Sequence, residues 1–231
     1  MIVPLISDEK WRETLQPIPT WNPPNIRTVI VAPHPDDETL GTGGLIETLR
    51  QLDTEVTIVA VTDGENAYPN EEDLGLGQVR RQEQTEALKA LGVDTDHIIR
   101  LRLPDGDVSH YENRLIELLI PLIDERTHIV APWTGDFHPD HEACGRAAEQ
   151  AASQSGASIS SYFFWTWHRG TPEATSALKL RALPLNISAI ERKSEALQKH
   201  RSQLAHPSGE PILPEYLLGP IFWPFEVFAI A

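Results

Sequence analysis

The sequence predicts an α/β fold, a mostly parallel sheet with helices on both faces. Short β-branched runs alternate with segments of helical period, the order that builds β-α-β units. A length of 231 residues suits one such domain. Hydrophobic residues at 40% and charged residues at 23% are ordinary globular values and exclude a disordered chain.

Each element has its own warrant. Residues 26–32 (IRTVIVA) form a short β-branched run, the mark of a buried strand. Residues 40–52 read as a helix with Leu45, Ile46 and Leu49 on one face. Residues 55–62 (EVTIVAVT) are a second buried strand. Residues 78–91 are a helix with Val79, Ala87, Leu88 and Leu91 apolar, and Gly92 stands where a left-handed cap is wanted. Residues 97–103 are a third strand, interrupted by arginines, and residues 111–126 a helix kinked at Pro121. Residues 127–131 are a fourth strand and residues 140–153 an alanine-rich helix. Residues 160–167 (SYFFWTW within them) read as a fifth strand, and residues 188–203 as a long polar helix. The core spans about residues 26–203, and residues 204–231, rich in proline, read as a C-terminal extension wrapping that core within a single domain of 231 residues. Residues 66–77 (NAYPNEEDLGLG) form a long loop after the second strand, placed to cover the active-site end and to contact the part of a substrate beyond its reacting group.

Charge narrows the function classes. Acids number 34 and bases 19, a formal charge of −15. Such a surface repels phosphate backbones and anionic lipid, so neither nucleic acid nor membrane is an expected partner. The longest uncharged stretch, residues 150–168, is broken by serines and glutamines, and Asp8, Glu9 and Lys10 stand where a secretory leader needs an apolar run. Cys144 is the only cysteine, which fits a reducing compartment. The expected location is cytoplasmic, and the sequence leaves a homo-oligomer open.

In parallel sheets of this kind ligands lie at the carboxyl ends of the strands. Two such loops carry chemistry. After the first strand stands APHPDDETLGTGG, with His34, Asp36, Asp37 and Glu38 together. A histidine and a carboxylate three apart at a strand-to-helix turn can face one point and offer nitrogen and oxygen to a divalent metal. The same residues also read as an ordinary helix start, with Asp36 as cap. The GTGG tail lacks the lysine and spacing of phosphate loops. After the fourth strand stands DFHPDHEACG, with His138, Asp140 and His141. Both loops spell His-Pro-Asp at the same end of the sheet, so a shared metal site outweighs two unrelated caps. Asp136 either supports a metal-bound histidine or caps the following helix. Trp165, Trp167 and His168 end a strand on the site side, while the remaining histidines have no partner pattern and Cys144 reads as a buried hydrophobe.

The chain resembles the PIG-L/LmbE-like deacetylases, zinc-dependent enzymes acting on N-acetylglucosamine-type substrates. The resemblance runs from about residue 27 to residue 203. APHPDDE at residues 32–38 and HPDH at residues 138–141 carry it, supported by VTDGE at 61–65, RRQEQTEALKALG at 80–92, LPDG at 103–106 and KSEALQKHRSQ at 193–203. It implies a Rossmann-like sheet and one Zn2+ per chain on His34, Asp37 and His141. It makes Asp36 the general base, and His138 the group that stabilises the oxyanion or protonates the leaving amine, oriented by Asp140. Arg80 and Asp105 fall where the family holds substrate. Some relatives place a tyrosine two residues before the HPDH histidine, where this chain has Asp136. The implied activity is hydrolysis of an N-acetyl group on an amino sugar or small glycoconjugate. A related amidase on another small conjugate, or a silent metal- or sugar-binding protein, are the competing readings.

Overall fold

The computed structural model describes residues 3–68, 75–206 and 209–230. Residues 69–74 of the long loop expected at 66–77 therefore lie outside the described residues.

The elements follow in chain order. Helix α1 (Asp8–Leu15) precedes strand β1 (Thr28–Ala32) and helix α2 (Asp37–Gln51). Strand β2 (Val56–Ala60), helix α3 (Leu76–Ala90) and strand β3 (Ile98–Arg100) come next. Helix α4 (Glu112–Leu119), strand β4 (His128–Pro132), helix α5 (Pro139–Ser155) and strand β5 (Ser158–Tyr162) complete the parallel part. Then follow α6 (Thr166–Arg169), β6 (Leu180–Pro184), α7 (Ile187–Leu197), α8 (Arg201–Leu204) and β7 (Phe225–Ile230).

The sheet has seven strands in the order β3-β2-β1-β4-β5-β7-β6. The first five are parallel, and β7 runs antiparallel to both β5 and β6. Alternation along the central strands sorts the core into two layers. Val29 and Val31 of β1 face Leu115 and Leu119 of α4 and Ala147 of α5. Ile30 and Ala32 face Leu45, Ile46 and Leu49 of α2, Leu88 of α3 and Ala196 of α7. Helices thus cover both faces, as the sequence predicts. Chain order reverses between β1 and β4, so their carboxyl ends open the crevice where such folds bind ligands.

Several boundaries differ from the sequence reading. The predicted fifth strand ends at Tyr162, because the backbone N–H groups of Phe164, Trp165 and Thr166 turn to the Asp136 carboxylate instead of the ladder. The predicted helix at 111–126 stops at Leu119 and tightens into a 3-10 turn over Ile120–Leu122 at Pro121. The predicted helix at 188–203 breaks at His200 (φ −78°, ψ 54°). Val79, expected on an apolar face, is 43% exposed. The C-terminal extension does more than wrap the core: β7 inserts between β5 and β6. Glu226 of β7 accepts from Gly44 N (2.7 Å) and Leu45 N (2.8 Å) of α2 and pairs with Lys193 Nζ of α7 at 2.7 Å, all buried.

The GTGG segment serves packing. A Cβ at Gly41 would lie 2.2 Å from the Tyr162 ring, so glycine lets α2 lie close against β5. No helix among the described residues is long and apolar enough to cross a membrane.

Candidate active site

The two His-Pro-Asp loops meet at the crevice between β1 and β4. Asp36 stands just before α2 with φ 156° and ψ −27°, an uncommon backbone for a residue with a side chain. Its side chain makes no capping bond to the helix, so the plain helix-start reading does not account for it. At the second loop His138 precedes α5, and its Nδ1 accepts from Asp140 N at 3.3 Å.

Asp37 is the hub. Its Oδ2 lies 3.1 Å from His34 Nδ1 and 3.2 Å from His141 Nε2. Suitable donor atoms of His34, Asp37 and His141 all lie within 4.8 Å of one another, and those of His34, His138 and Asp140 do likewise. Each imidazole beside Asp37 has a carboxylate on its far nitrogen. His34 Nε2 is 3.2 Å from Asp140 Oδ2 and 3.2 Å from Asp105 Oδ1. His141 Nδ1 donates to Asp136 Oδ2 at 2.8 Å, which leaves its buried Nε2 with no hydrogen-bond partner. An imidazole held by a carboxylate at one nitrogen and presenting the other to a neighbouring carboxylate is the arrangement of a metal ligand. The residues therefore fit a divalent ion: two imidazoles and a carboxylate converge, and a buried polar atom points at their centre.

Electrostatics separates the adjacent aspartates. Burial pushes Asp37 up, but His141 and His34 outweigh it and hold the carboxylate well below its usual range. Burial, then the charge of Asp37, pushes Asp36 well above its usual range, against the pull of Arg80. Divergence between neighbouring carboxylates is how a site assigns them different tasks. Burial lowers His138 to about 3, helped by His34 and His141. For His141 burial acts downward, yet Asp37 and Asp136 raise it to about 9.

The cavity beside this cluster measures about 290 Å³ and is lined by His34, Asp36, Asp37, Arg80, Asp105 and His138, among others. The Asp140 carboxylate accepts from Gly106 N (2.8 Å) and Val108 N (3.1 Å) and meets His34 Nε2, while His138 accepts from the Asp140 backbone N–H and stands nearly parallel to the Trp165 ring, 5.8 Å away. Arg80 and Asp105 both line the cavity; the terminal nitrogens of Arg80 and the Asp105 carboxylate are engaged by the protein, and the buried Arg80 Nε has no hydrogen-bond partner. Arg80 donates to Gly64 O (2.8 Å) and Gln203 Oε1 (2.8 Å) and lies 3.8 Å from Asp36. Asp105 accepts from Asn66 N at 2.8 Å. Glu38, grouped with the loop in sequence, is buried beneath it on Gln84, and burial pushes it up to about 7.

Sequence reasoning passed over Gln203, whose Nε2 donates to Pro35 O while its Oε1 holds Arg80, so that one buried amide ties α8 to the Asp36 turn. It also passed over Phe164, Ile212 and Leu213, which line the cavity together with Asn66 of the 66–77 loop. Trp165 lines it too, whereas Trp167 packs away from it among Trp11, Phe163 and Trp223.

Comparison with known proteins agrees with this geometry. A family model described as PIG-L, GlcNAc-PI de-N-acetylase, matches residues 29–152. A probable N-acetyl-alpha-D-glucosaminyl L-malate deacetylase 2 of Bacillus subtilis is 33% identical over 134 residues, covering 53% of this chain and 59% of the relative. A 1D-myo-inositol 2-acetamido-2-deoxy-alpha-D-glucopyranoside deacetylase of a Mycobacterium species is 30% identical over 170 residues, covering 61% of this chain and 54% of the relative. The matched segments thus span little more than half the length of these two relatives. The structure of N,N'-diacetylchitobiose deacetylase from Pyrococcus horikoshii superposes with a TM-score of 0.62 at 24% identity, covering 87% of this chain and 80% of that one, a likeness of fold. The family match takes in both His-Pro-Asp loops and the strands that bring them together, and this chain belongs to the PIG-L family.

Proposed function

We propose that this chain is a zinc-dependent hydrolase that removes an N-acetyl group from an N-acetylglucosamine-type amino sugar or small glycoconjugate, releasing acetate and a free amine. The observation that carries the reading is the convergence of His34, Asp37 and His141, each imidazole backed by a carboxylate, with the unligated Asp36 beside them at the cavity. Family membership and the activities for which the two relatives are named support it.

His34, through the nitrogen beside Asp37, Asp37 itself and His141 Nε2 would hold the ion. Two nitrogens and one oxygen with a position left open suit zinc. What a divalent ion supplies there is Lewis acidity toward the amide carbonyl and the attacking water. Asp36 takes the proton of that water as it adds to the carbonyl carbon, and returns it to the nitrogen as the C–N bond breaks. His138 is the oxyanion donor. Its Nδ1 accepts the Asp140 N–H, so the neutral ring carries its proton on Nε2 and donates there. Arg80, held by Gly64 and Gln203, fixes the Asp36 carboxylate. Asp105 keeps His34 in place and borders the substrate. Residues 1–231 act as one domain, because Ile212 and Leu213 of the C-terminal segment complete the cavity wall.

The test is a panel of N-acetyl hexosamines and their glycosides, read by acetate and primary amine in equal amounts. Equimolar release is expected. Absence of both products across the panel, from protein that holds its metal, leaves the silent-binder reading.

A further inference from the structure

The cavity has two unlike walls. One is acidic, with Asp36, Asp37 and Asp105. The other is apolar, with Phe164 and Trp165 after β5 and Ile212 and Leu213 from the C-terminal segment. At the small end of the ligand-pocket range of roughly 300–1,000 Å³, a cavity of about 290 Å³ holds one sugar ring with its acyl group and leaves the aglycone at the mouth.

Among the described lining residues, Arg80 is the one lysine or arginine. Both its terminal nitrogens already donate to the protein, to Gly64 O and Gln203 Oε1 at 2.8 Å each, and Asp36 lies 3.8 Å away. The guanidinium packs flat on Gly64, where a Cβ would come within 2.3 Å of a terminal nitrogen and 2.8 Å of Nε. The neighbouring arginines are engaged as well. Arg169 lies 4.2 Å over the Trp165 ring and donates to Phe137 O, Arg81 pairs with Asp63, and Arg100 donates to Gln84 and Thr85. Five carboxylates (Asp36, Asp37, Asp105, Asp136 and Asp140) meet the cluster or the cavity against that one guanidinium.

We propose that this cavity selects N-acetylated amino-sugar glycosides whose aglycone is uncharged and apolar, and disfavours those whose aglycone is anionic. The proposal rests on the N-deacetylase reading. An anionic aglycone finds no lysine and no arginine but the engaged Arg80 among the described lining residues, and shares the cavity with the Asp36, Asp37 and Asp105 carboxylates, whereas an apolar one loses water against Ile212, Leu213 and Trp165. Discrimination therefore comes from repulsion as much as from attraction. A unit charge several ångströms from an uncompensated unit charge near a protein surface shifts selectivity on the order of 10- to 100-fold.

The experiment compares three glycosides of N-acetylglucosamine, with L-malate, dimethyl L-malate and phenol as aglycones. The zinc-loaded protein is assayed at about pH 8, where an ordinary histidine is neutral. The diester and the phenyl glycoside are expected to exceed the malate glycoside about 10- to 100-fold in kcat/KM. The gap should narrow between roughly 10 mM and 0.5 M salt, as screening requires. Ile212→Arg should raise the malate glycoside selectively. A malate glycoside turned over as well as its diester, or better, overturns the proposal. If no glycoside releases acetate, the deacetylase reading fails, and calorimetric binding of the same three to zinc-loaded protein decides this one. Tighter binding of the diester than of the malate supports it; equal, reversed or absent binding overturns it.

Discussion

Asp136 is fully buried and gathers more hydrogen bonds than any other side chain at the site. It accepts from Phe164 N at 3.2 Å, Thr166 N at 2.9 Å, Thr166 Oγ1 at 2.6 Å and His141 Nδ1 at 2.8 Å. Asp136→Ala would strand these donors in a dry environment, each costing about 1–3 kcal/mol. Water entering the vacated space offsets part of this, so a net loss of about 3–5 kcal/mol follows, the range for breaking a buried charged network. For a chain of this size that lowers Tm by roughly 6–20 °C. Asp136→Asn keeps the shape and removes the charge behind His141, so its Tm should fall less. Loss of such a partner typically weakens metal binding about 10- to 100-fold. Chelator competition gives the zinc affinity and thermal unfolding the stability, on the same preparations. If Asp136→Asn binds zinc as tightly as the wild type, the assignment of Asp136 as the group that aims His141 at the metal is refuted.

Asp37→Ala should lose both metal and activity, while Asp36→Ala and His138→Ala should keep the metal and lower kcat about 10²- to 10⁴-fold; a metal-free Asp36→Ala beside a metal-replete, active Asp37→Ala reverses the pair. Gln203→Leu should lower kcat about 5- to 30-fold, the loss of one to two buried hydrogen bonds that hold the Asp36 turn, with zinc content and KM unchanged; a change in KM alone contradicts that role. His128, at the opposite end of the sheet between Ser158 and Ser160, is pushed down to about 4 by burial. The unfolded chain binds the extra proton, so its stability contribution is complete above about pH 6.5 and falls by up to about 3 kcal/mol as pH drops toward 4. Denaturant titrations should show stability falling less steeply between pH 6.5 and 4 for His128→Gln than for the wild type; equal slopes contradict the assignment.

What was readable in the sequence is local. β1 and β2 are β-branched runs buried on both faces, β4 (HIVAP) is a short buried run around Ile129 and Val130, and α2, α3 and α5 carry helical periodicity, so each announces itself. The two His-Pro-Asp loops were readable for the same reason, since strand ends and helix starts bracket them. What was hidden depends on distant partners. The end of β5 is set by Asp136, some thirty residues earlier, which draws three N–H groups out of the ladder. β6 and β7 pair antiparallel across about forty residues that hold α7, α8 and a proline-rich stretch, so no local signal joins the two strands. Gln203 closes the KSEALQKHRSQ stretch, but its two contacts, to Pro35 and Arg80, lie far away in sequence, and Leu213 reaches the site from a segment with no motif of its own. Asp140 meets His34, a contact across 106 residues that no spacing rule reveals.

The central claim is that a single metal, held by His34, Asp37 and His141, is required for amide hydrolysis. The direct measurement is a zinc titration of metal-stripped protein, with acetate release from an N-acetylglucosamine glycoside and bound zinc read at each step. Activity is expected to rise in proportion to bound zinc and to level off at about one ion per chain. Full activity in metal-stripped protein, or a rise that does not follow bound zinc, would contradict the account.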